Sequence, residues 1–568
     1  MIINNLFIKN FRGIKECDID FSLQSRIVCL IGAGDSTKST ILKAIEWILW
    51  PSWNLVVSDS DFYQCDTSTS IIIRGTFSEI PDQLIAEDKY GLHLRRPSIP
   101  IAEGINDEPK DGEQLCITIQ LTINESLEPR WEVVCNRNEP KSLSLADRKM
   151  LLSNSIGTNC SKDLAWGKFS ILQKYADSKG TLRDVQLIAM RNIAQNANLS
   201  ELDNISEIIQ SIGKSYGVGF DGEITNHLQI QGGSLSTTIG LFDGNAPLSQ
   251  RGLGSQRLLS MGLNINASSN GSILLLDEIE SGLEPYRLRN LINELRQSAL
   301  KSKSGQVIMT THSPVAVAEC TIAEILVIQS TDGVTKAYKL KGSNEKANNS
   351  LQAQIRRNSE AFLSKRIIIC EGKTEIGFLR ALDTYLANEK QRRLAFTGVS
   401  TADGGGSAIF DCANKLMECG YNICLIMDSD VPEEERQKDM LKEKGVRIFD
   451  WDAPNSIEER IFHDIPNDVA NDLIDLAIKE YGIDSIKSRL SSIPHSEQNN
   501  HITIDITDNE MRKSIGSIAK KQGAEWFKRI DHGEALGNVI FENLSKLDEN
   551  CKLKQVINEV IDWITQND

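Results

Sequence analysis

The stretch RIVCLIGAGDSTKSTILKAIEWIL, residues 26–49, decides how the first half of the chain is read. RIVCLI (26–31) is an unbroken apolar run of the kind found in a buried strand. STILKAIEWIL (39–49) places Ile41, Leu42, Ile45 and Ile48 on one face of a helix. Between them Gly32, Lys38 and Ser39 fill three fixed positions of G-x-x-x-x-G-K-[ST], a loop whose backbone N–H groups cradle phosphate at a helix N-terminus. In such a loop the lysine reaches the β/γ-phosphates and the following hydroxyl ligates Mg²⁺. Position 37, where the pattern has glycine, is Thr37. Strand, loop and helix in this order is the arrangement a phosphate loop needs; the alternative is a plain Gly/Ser turn between strand and helix.

The chain around this stretch is an ordinary soluble composition, 40% hydrophobic and 25% charged. Its 568 residues exceed what one core organises, and about two to four domains are expected. Apolar runs such as SILLLDE (272–278) are too short to span a bilayer, so no membrane role is expected. MIINNLFIKNFRG lacks the basic start and apolar stretch of a signal peptide, and the twelve cysteines form no C-x-x-C pair. The expected location is cytoplasmic and reducing. A net charge of −16 disfavours indiscriminate nucleic-acid binding, so any contact with DNA needs local basic patches or metal ions.

The fold class expected is α/β throughout. IINNLFIKNFRGIKECDIDF (2–21) alternates like a paired edge hairpin. SIIIRGTFSEI (70–80), LCITIQLTI (115–123) and WEVVCN (131–136) are strand-like. Strand signals fade over 141–214, which reads as a helical insertion, and return over 215–340. The polar stretch 341–362 reads as a linker between the first α/β part (1–140 and 215–340) and a second unit over 363–568. Leu553, Val556, Ile557, Val560, Ile561 and Ile564 form one helical stripe, read as core packing or an oligomer contact.

Two constellations carry chemistry. In the first, ILLLDEIESGLEP (273–285) is an apolar strand ending in Asp277 and Glu278, one suited to hold Mg²⁺ and the next to deprotonate an attacking water. VIMTTHSP (307–314) delivers His312 to sense a γ-phosphate, and LSQRGLGSQR (248–257) brings a serine with close glycines suited to phosphate. With the opening FIKNFRGIKECDIDF, this order resembles the ATPase domain of the ABC class in its SMC/RecF-like branch. The resemblance implies a nucleotide cradle of Gly32, Gly34, Lys38, Ser39 and Thr40, with Ser39 and Asp277 as Mg²⁺ ligands. It implies Glu278 as the catalytic base, Ser249, Gly252 and Gly254 as the signature motif, and His312 as the switch. It also implies that the signature completes the site of a neighbouring subunit, hence a homodimer or higher homo-oligomer. Against the family loop, Asp35 and Thr37 replace two glycines. Left-handed backbone at β-branched Thr37 would cost about 1–2 kcal/mol, so ATP binding is expected to survive with slow hydrolysis.

In the second constellation, IIICEGKTE (367–375) places Glu371 at a strand end and Glu375 one turn into a helix. LIMDSD (425–430) places Asp428 and Asp430 at another strand end, expected on one face, and WDAPNSIEERIF (451–462) adds Glu458 and Glu459. Such oxygen clusters suit Mg²⁺ or Mn²⁺, and metal-activated water can attack a phosphodiester. E-G-x-x-E followed by D-x-D resembles a Toprim domain. An ABC ATPase followed by Toprim resembles the OLD (overcoming lysogenisation defect) endonucleases, among them the nuclease subunit of Gabija defence systems and retron effectors. That resemblance covers almost the whole chain. It implies Glu371, Glu375, Asp428 and Asp430 as metal ligands, with Glu458 or Glu459 as a further one, and Glu371 and Asp428 at the catalytic centre. It matches the helical insertion to a dimerisation region. In AKKQGAEWFKRIDHGEALG (519–537), Lys528 resembles the family's late catalytic lysine, or else it is one lysine of a basic helix with Arg512, Lys513, Lys520, Lys521 and Arg529. That basic run is the expected contact with the DNA backbone. The function expected is an ATP-regulated, metal-dependent DNA endonuclease of antiphage defence, with ATP and Mg²⁺ or Mn²⁺ as cofactors. Its partner would be a helicase, or a reverse transcriptase with its RNA–DNA product. The alternative is a nucleotide-gated sensor or scaffold whose Toprim domain binds without cutting.

Overall fold

The computed structural model describes residues 1–568 apart from 23–24, 98, 103–104, 152, 157–171, 173–201, 231–236, 268–270, 302–304, 390–391, 499–500, 505–507, 522 and 567–568. The chain divides into two compact units, Met1–Gln352 and Ala353–Asp568.

The first unit is built on a twelve-stranded sheet. One half is an antiparallel series running from Lys141–Ser142 through Pro129–Val134, Cys116–Ile123, Ile71–Ser78 and Ile2–Phe11 to Ile14–Asp20. The other half runs Val334–Lys339, Ile325–Thr331, Ile27–Ile31, Val307–Thr310, Ile273–Leu276 and Ser153–Ile156. From Ile325–Thr331 onward its pairs are parallel. Ile27–Ile31, Ile273–Leu276 and Val307–Thr310 are buried at every position, which is why they read as continuous apolar runs rather than alternating ones. Their register pairs Leu276 with Met309 and Thr310 with Leu30, so the carboxylates after Leu276 and the loop after Ile31 emerge at the same end of the sheet.

The opening hairpin, which alternation alone places at an edge, lies inside the sheet. Ile71–Ser78 pairs on one side of it and Val334–Lys339 on the other, the latter from more than three hundred residues away. The helical insertion expected over 141–214 falls mainly on 157–171 and 173–201, outside the described residues. Its described parts include the strands Lys141–Ser142 and Ser153–Ile156, one helical turn at Leu145–Arg148 and the helix Asp203–Ser215. The expected linker is also structured: Glu345–Arg357 is a helix, begun where Asn344 Oδ1 accepts the Ala347 N–H at 2.9 Å. Leu351 and Ile355, at i and i+4, are its buried side. Two large apolar residues in a helix of thirteen make too thin a stripe to betray it in sequence.

The second unit centres on a parallel sheet ordered Val399–Asp403, Arg366–Cys370, Asn422–Met427, Arg447–Asp450. The helix Lys373–Asn388 packs along Ile530–Glu542, with the Phe378 and Phe541 rings 5.0 Å apart. The late apolar stripe is core: in the helix Lys552–Thr565, Leu553, Val556, Ile557, Val560 and Ile564 are buried, and Ile561 packs against them. The Arg366 guanidinium donates to the carbonyls of Trp563 and Ile564, each at 2.8 Å, tying that helix end to the central strand. Among the described residues every cysteine is a free thiol, and no helix is long and apolar enough to cross a membrane.

Candidate functional site

In the first unit the phosphate-type loop lies between Ile27–Ile31 and the helix Lys38–Ile48. Gly32 is required where it stands: its φ is 143°, and a Cβ there would meet Ile328 O at 2.3 Å. Asp35 (φ 61°) and Thr37 (φ 67°) both take left-handed backbone, the conformation that glycine holds without strain. The Thr37 hydroxyl pairs with that of Thr335 at 3.0 Å, which offsets part of the cost. Lys38 is buried, and its ammonium donates to Gly32 O (3.0 Å), Ala33 O (2.7 Å) and Ser36 Oγ (2.9 Å). Burial lowers its pKa to about 8 against the raising influence of Asp277 and Asp35. Asp35 is therefore also a counter-charge to Lys38. Gly34 and Thr40 belong to the same loop and first helical turn.

Ser39 Oγ donates to Asp277 Oδ1 at 2.9 Å, and Thr310 Oγ1 donates to the same oxygen at 2.6 Å. Glu278, at φ 47°, receives a bond from Ser281 Oγ at 2.9 Å, and its N–H donates to Thr310 Oγ1 at 2.8 Å. His312 is exposed, with its backbone N–H on Glu280 Oε1 at 2.6 Å. Lys38, Ser39, Asp277 and Glu278 thus come together. Ser249 and Gly252 precede the helix Leu253–Ala267 and make no hydrogen bond to the Lys38 loop among the described residues. Gly254 lies against Gly282, where a Cβ would sit 2.3 Å from Gly282 O. Sequence reasoning passed over Thr310, Glu280 and Arg257. The last is a fully buried arginine that donates to the carbonyls of Asp277 and Glu278, each at 2.6 Å.

In the second unit one cavity of about 580 Å³ opens at the carboxyl ends of the parallel strands. Its lining includes Glu371, Glu375, Asp428, Asp430 and Glu458 from three separate segments. Asp428 and Asp430 lie beyond the strand, which ends at Met427, so the period-two argument does not hold them together. Asp428 Oδ1 accepts the Ile457 N–H at 2.9 Å, whereas Asp430 turns to Lys520 at 3.1 Å. Glu371 Oε2 accepts the Asp428 N–H, and Glu375 Oε2 accepts the Gly372 N–H, both at 2.9 Å. Of the adjacent glutamates, Glu458 is buried and lines the cavity. Glu459 caps its own helix through Ser456 N (3.1 Å) and pairs with Lys520 (2.8 Å) and Ser517 (2.9 Å).

Charge in this cavity is uneven. Burial, reinforced by Glu458 and Glu371, pushes the Glu375 carboxyl up to about 7. Burial and then Glu375, Glu458 and Glu371 push Asp428 well above the ordinary carboxylate range. Burial also raises Glu458, against the pull of Lys528 and Lys520. For Glu459, burial is outweighed by its bonds to Lys520, Ser456 and Ser517, and the carboxyl is held below its usual value. Among the described residues no three His, Cys, Asp or Glu side chains are already closed around an ion position. Glu371, Glu375 and Asp428 instead each accept a backbone N–H. The carboxylates of Glu371, Glu375, Asp428 and Glu458, with no ion pair among the described residues, are an oxygen-only set that fits Mg²⁺ or Mn²⁺, which would bring the compensating charge.

Lys528 lies on the cavity wall with its side chain exposed and no ion pair among the described residues. It sits between the helices Asn509–Ala519 and Ile530–Glu542, not within a basic helix. Trp526 and Phe527, each 1% exposed, anchor the segment, and Thr374 Oγ1 donates to Phe527 O at 3.2 Å. The basic run is largely committed elsewhere. Arg512 donates to Phe462 O (3.1 Å), Arg529 pairs with Asp531 (2.6 Å), and Lys520 holds Asp430 and Glu459. Lys438 was not legible in sequence. It is fully buried, and it fixes the turn after Met427 through Asp428 O (3.0 Å) and Ser429 Oγ (2.7 Å).

The AAA ATPase domain family matches residues 1–185, an AAA domain family matches 163–318, and the family "Overcoming lysogenization defect protein-like, TOPRIM domain" matches 362–430. No curated protein sequence matches the chain. Similar solved structures include an Smc head bound to the C-winged helix domain of ScpA, 18% identical, over 61% of this chain and 100% of that one, with a TM-score of 0.40. An Smc head domain with an extended coiled coil, bound to the C-terminal domain of ScpA derived from Pyrococcus furiosus, is 15% identical over 62% and 99%, TM-score 0.39. The SMC head domain from Thermotoga maritima is 14% identical over 60% and 100%, TM-score 0.32. The chain joins AAA ATPase domains to an OLD-like Toprim domain. That combination is consistent with an ATPase–Toprim protein of the OLD type.

Proposed function

We propose that the chain is a DNA endonuclease whose Toprim cavity cuts with a divalent ion and whose ATPase site regulates it. The observation that carries this is the cavity of the second unit, where Glu371, Glu375, Asp428 and Glu458 share the lining with Lys528 and, among the described residues, none of the five forms an ion pair. Glu371, Glu375, Asp428 and Glu458 would hold Mg²⁺ or Mn²⁺, which supplies an activated water and stabilises the leaving oxygen. Lys528, held out by its buried aromatic neighbours, would place positive charge beside the phosphate under attack. The ATPase site has the residue types for nucleotide: Lys38 would turn from the carbonyls of its own loop to the phosphates, Ser39 and Asp277 would hold Mg²⁺, and Glu278 would orient water. Ser249, Gly252, Gly254 and His312 would complete the nucleotide site of a second copy, which makes a homo-oligomer part of this reading. The OLD resemblance supports a role in antiphage defence, with a helicase or reverse transcriptase as partner.

Asp428→Ala tests the reading. It should reduce plasmid cleavage with Mn²⁺ by at least about a thousandfold, since it removes a ligand rather than core, while leaving ATP binding intact. Cleavage at the wild-type rate would remove the nuclease assignment. A second reading, a sensor or scaffold whose Toprim domain binds DNA without cutting, draws on the carboxylates resting on backbone amides rather than closing on one point. DNA retention by the wild-type chain with no cleavage under any divalent ion would favour it.

A further inference from the structure

The carboxylates of the Toprim cavity fall into two sets that differ in what already neutralises them. Glu371, Glu375 and Asp428 accept backbone N–H groups, and with Glu458 they form no ion pair among the described residues. Asp430 and Glu459 share one cation. Lys520 Nζ stands 3.1 Å from Asp430 Oδ2 and 2.8 Å from Glu459 Oε2, bridging the turn after Asn422–Met427 and the helix Ile457–Asp464.

This lysine is built into place. It caps the helix Asn509–Ala519, whose Ser517 holds the other oxygen of Glu459 at 2.9 Å, and the Trp526 N–H fixes Ala519 O at 2.9 Å. Lys373 and Lys528 also line the cavity but form no ion pair among the described residues. An ammonium is a compact point charge with several donors, able to sit between two carboxylates as a small metal ion does. Held this way, Lys520 is not free to meet a DNA phosphate, and its expected place in a backbone-binding run does not fit.

We propose that Lys520 is a positioning residue that stands where a second cation would otherwise go. The chain then takes one divalent ion, on the deep carboxylates, while the ammonium keeps Asp430 and Glu459 together. This rests on the metal-dependent reading above. The test counts ions rather than cleavage: Mn²⁺ alone is titrated into the full chain without DNA or nucleotide, by calorimetry and by electron paramagnetic resonance. An Asp277→Asn background silences the nucleotide-site ligand. The expected count is one Mn²⁺ per chain, rising to two in Lys520→Gln and staying at one in Lys520→Arg, which keeps the charge. Two ions on the chain with Lys520 intact, or one on Lys520→Gln, would overturn the proposal while leaving a metal site in place. No Mn²⁺ on any variant is the distinct failure of the metal-dependent reading and takes the proposal with it. Should Lys520→Gln not fold, the count with Lys520 intact decides alone.

Discussion

Each unit contains a buried parallel strand that ends in carboxylates, Ile273–Leu276 before Asp277 and Asn422–Met427 before Asp428. The two ends are wired in opposite ways. Asp277 Oδ1 is met by hydroxyls from Ser39 and Thr310, and the buried Lys38 ammonium takes Asp277 as its strongest electrostatic support. Asp428 faces Glu375, Glu458 and Glu371, and burial among them raises its pKa. The first site carries its own counter-charge and polar cradle. The second gathers like charges on Glu371, Glu375, Asp428 and Glu458, which form no ion pair among the described residues. The same strand grammar thus serves two chemistries, and what separates them is the sign of the neighbours.

Removing the internal cation of the first site should have the larger effect. Lys38→Ala loses charge-assisted bonds to phosphate, about 2–3 kcal/mol, so ATP affinity should fall by roughly 30- to 150-fold in a fluorescent-nucleotide titration. An unchanged affinity would mean that the loop does not hold the phosphates. A smaller change sharpens the contrast in the other direction. Glycine at both Asp35 and Thr37 relieves left-handed backbone worth about 1–2 kcal/mol and should tighten ATP by roughly five- to thirtyfold. Loss of the Thr37–Thr335 hydroxyl pair and of Asp35 as a counter-charge to Lys38 pulls toward the lower figure. No tightening in the same titration would show a loop already relaxed.

The pieces legible in sequence were those fixed by local pattern. Fully apolar strands, the Lys38 loop and the carboxylates at strand ends announce themselves within about ten residues. Pairing partners do not: Val334–Lys339 closes over the opening hairpin from the far end of the unit, and nothing in the hairpin's alternation reports it. Glu458 and Glu459 are equivalent in sequence, and only the capping geometry at Ser456 sends one inward and the other to Lys520. Arg257 and Lys438 are buried cations bonded to backbone carbonyls, a role for which sequence carries no periodic signal. Lys520 reads as one of a basic run because charge is visible in sequence and its partners are not.

The contrast between the two strand ends is tested most directly by the melting temperature of two isosteric variants at pH 7.5, with and without Mn²⁺. Carboxyls whose folded pKa is raised, as at Asp428 and at Glu375 (to about 7), stabilise the fold at low pH and lose that contribution as pH rises through the folded value. Above those folded values the metal-free Toprim cavity is therefore under charge strain. Asp428→Asn keeps an acceptor for the Ile457 N–H and removes one charge. It should raise the metal-free melting temperature by about 2–4 °C and abolish the stabilisation that Mn²⁺ gives the wild type. Asp277→Asn should instead leave the Mn²⁺ stabilisation that comes from the Toprim cavity in place and lower the metal-free melting temperature, because it weakens the support of Lys38. An Asp428→Asn protein that melts lower without metal and keeps the full Mn²⁺ shift would contradict the account.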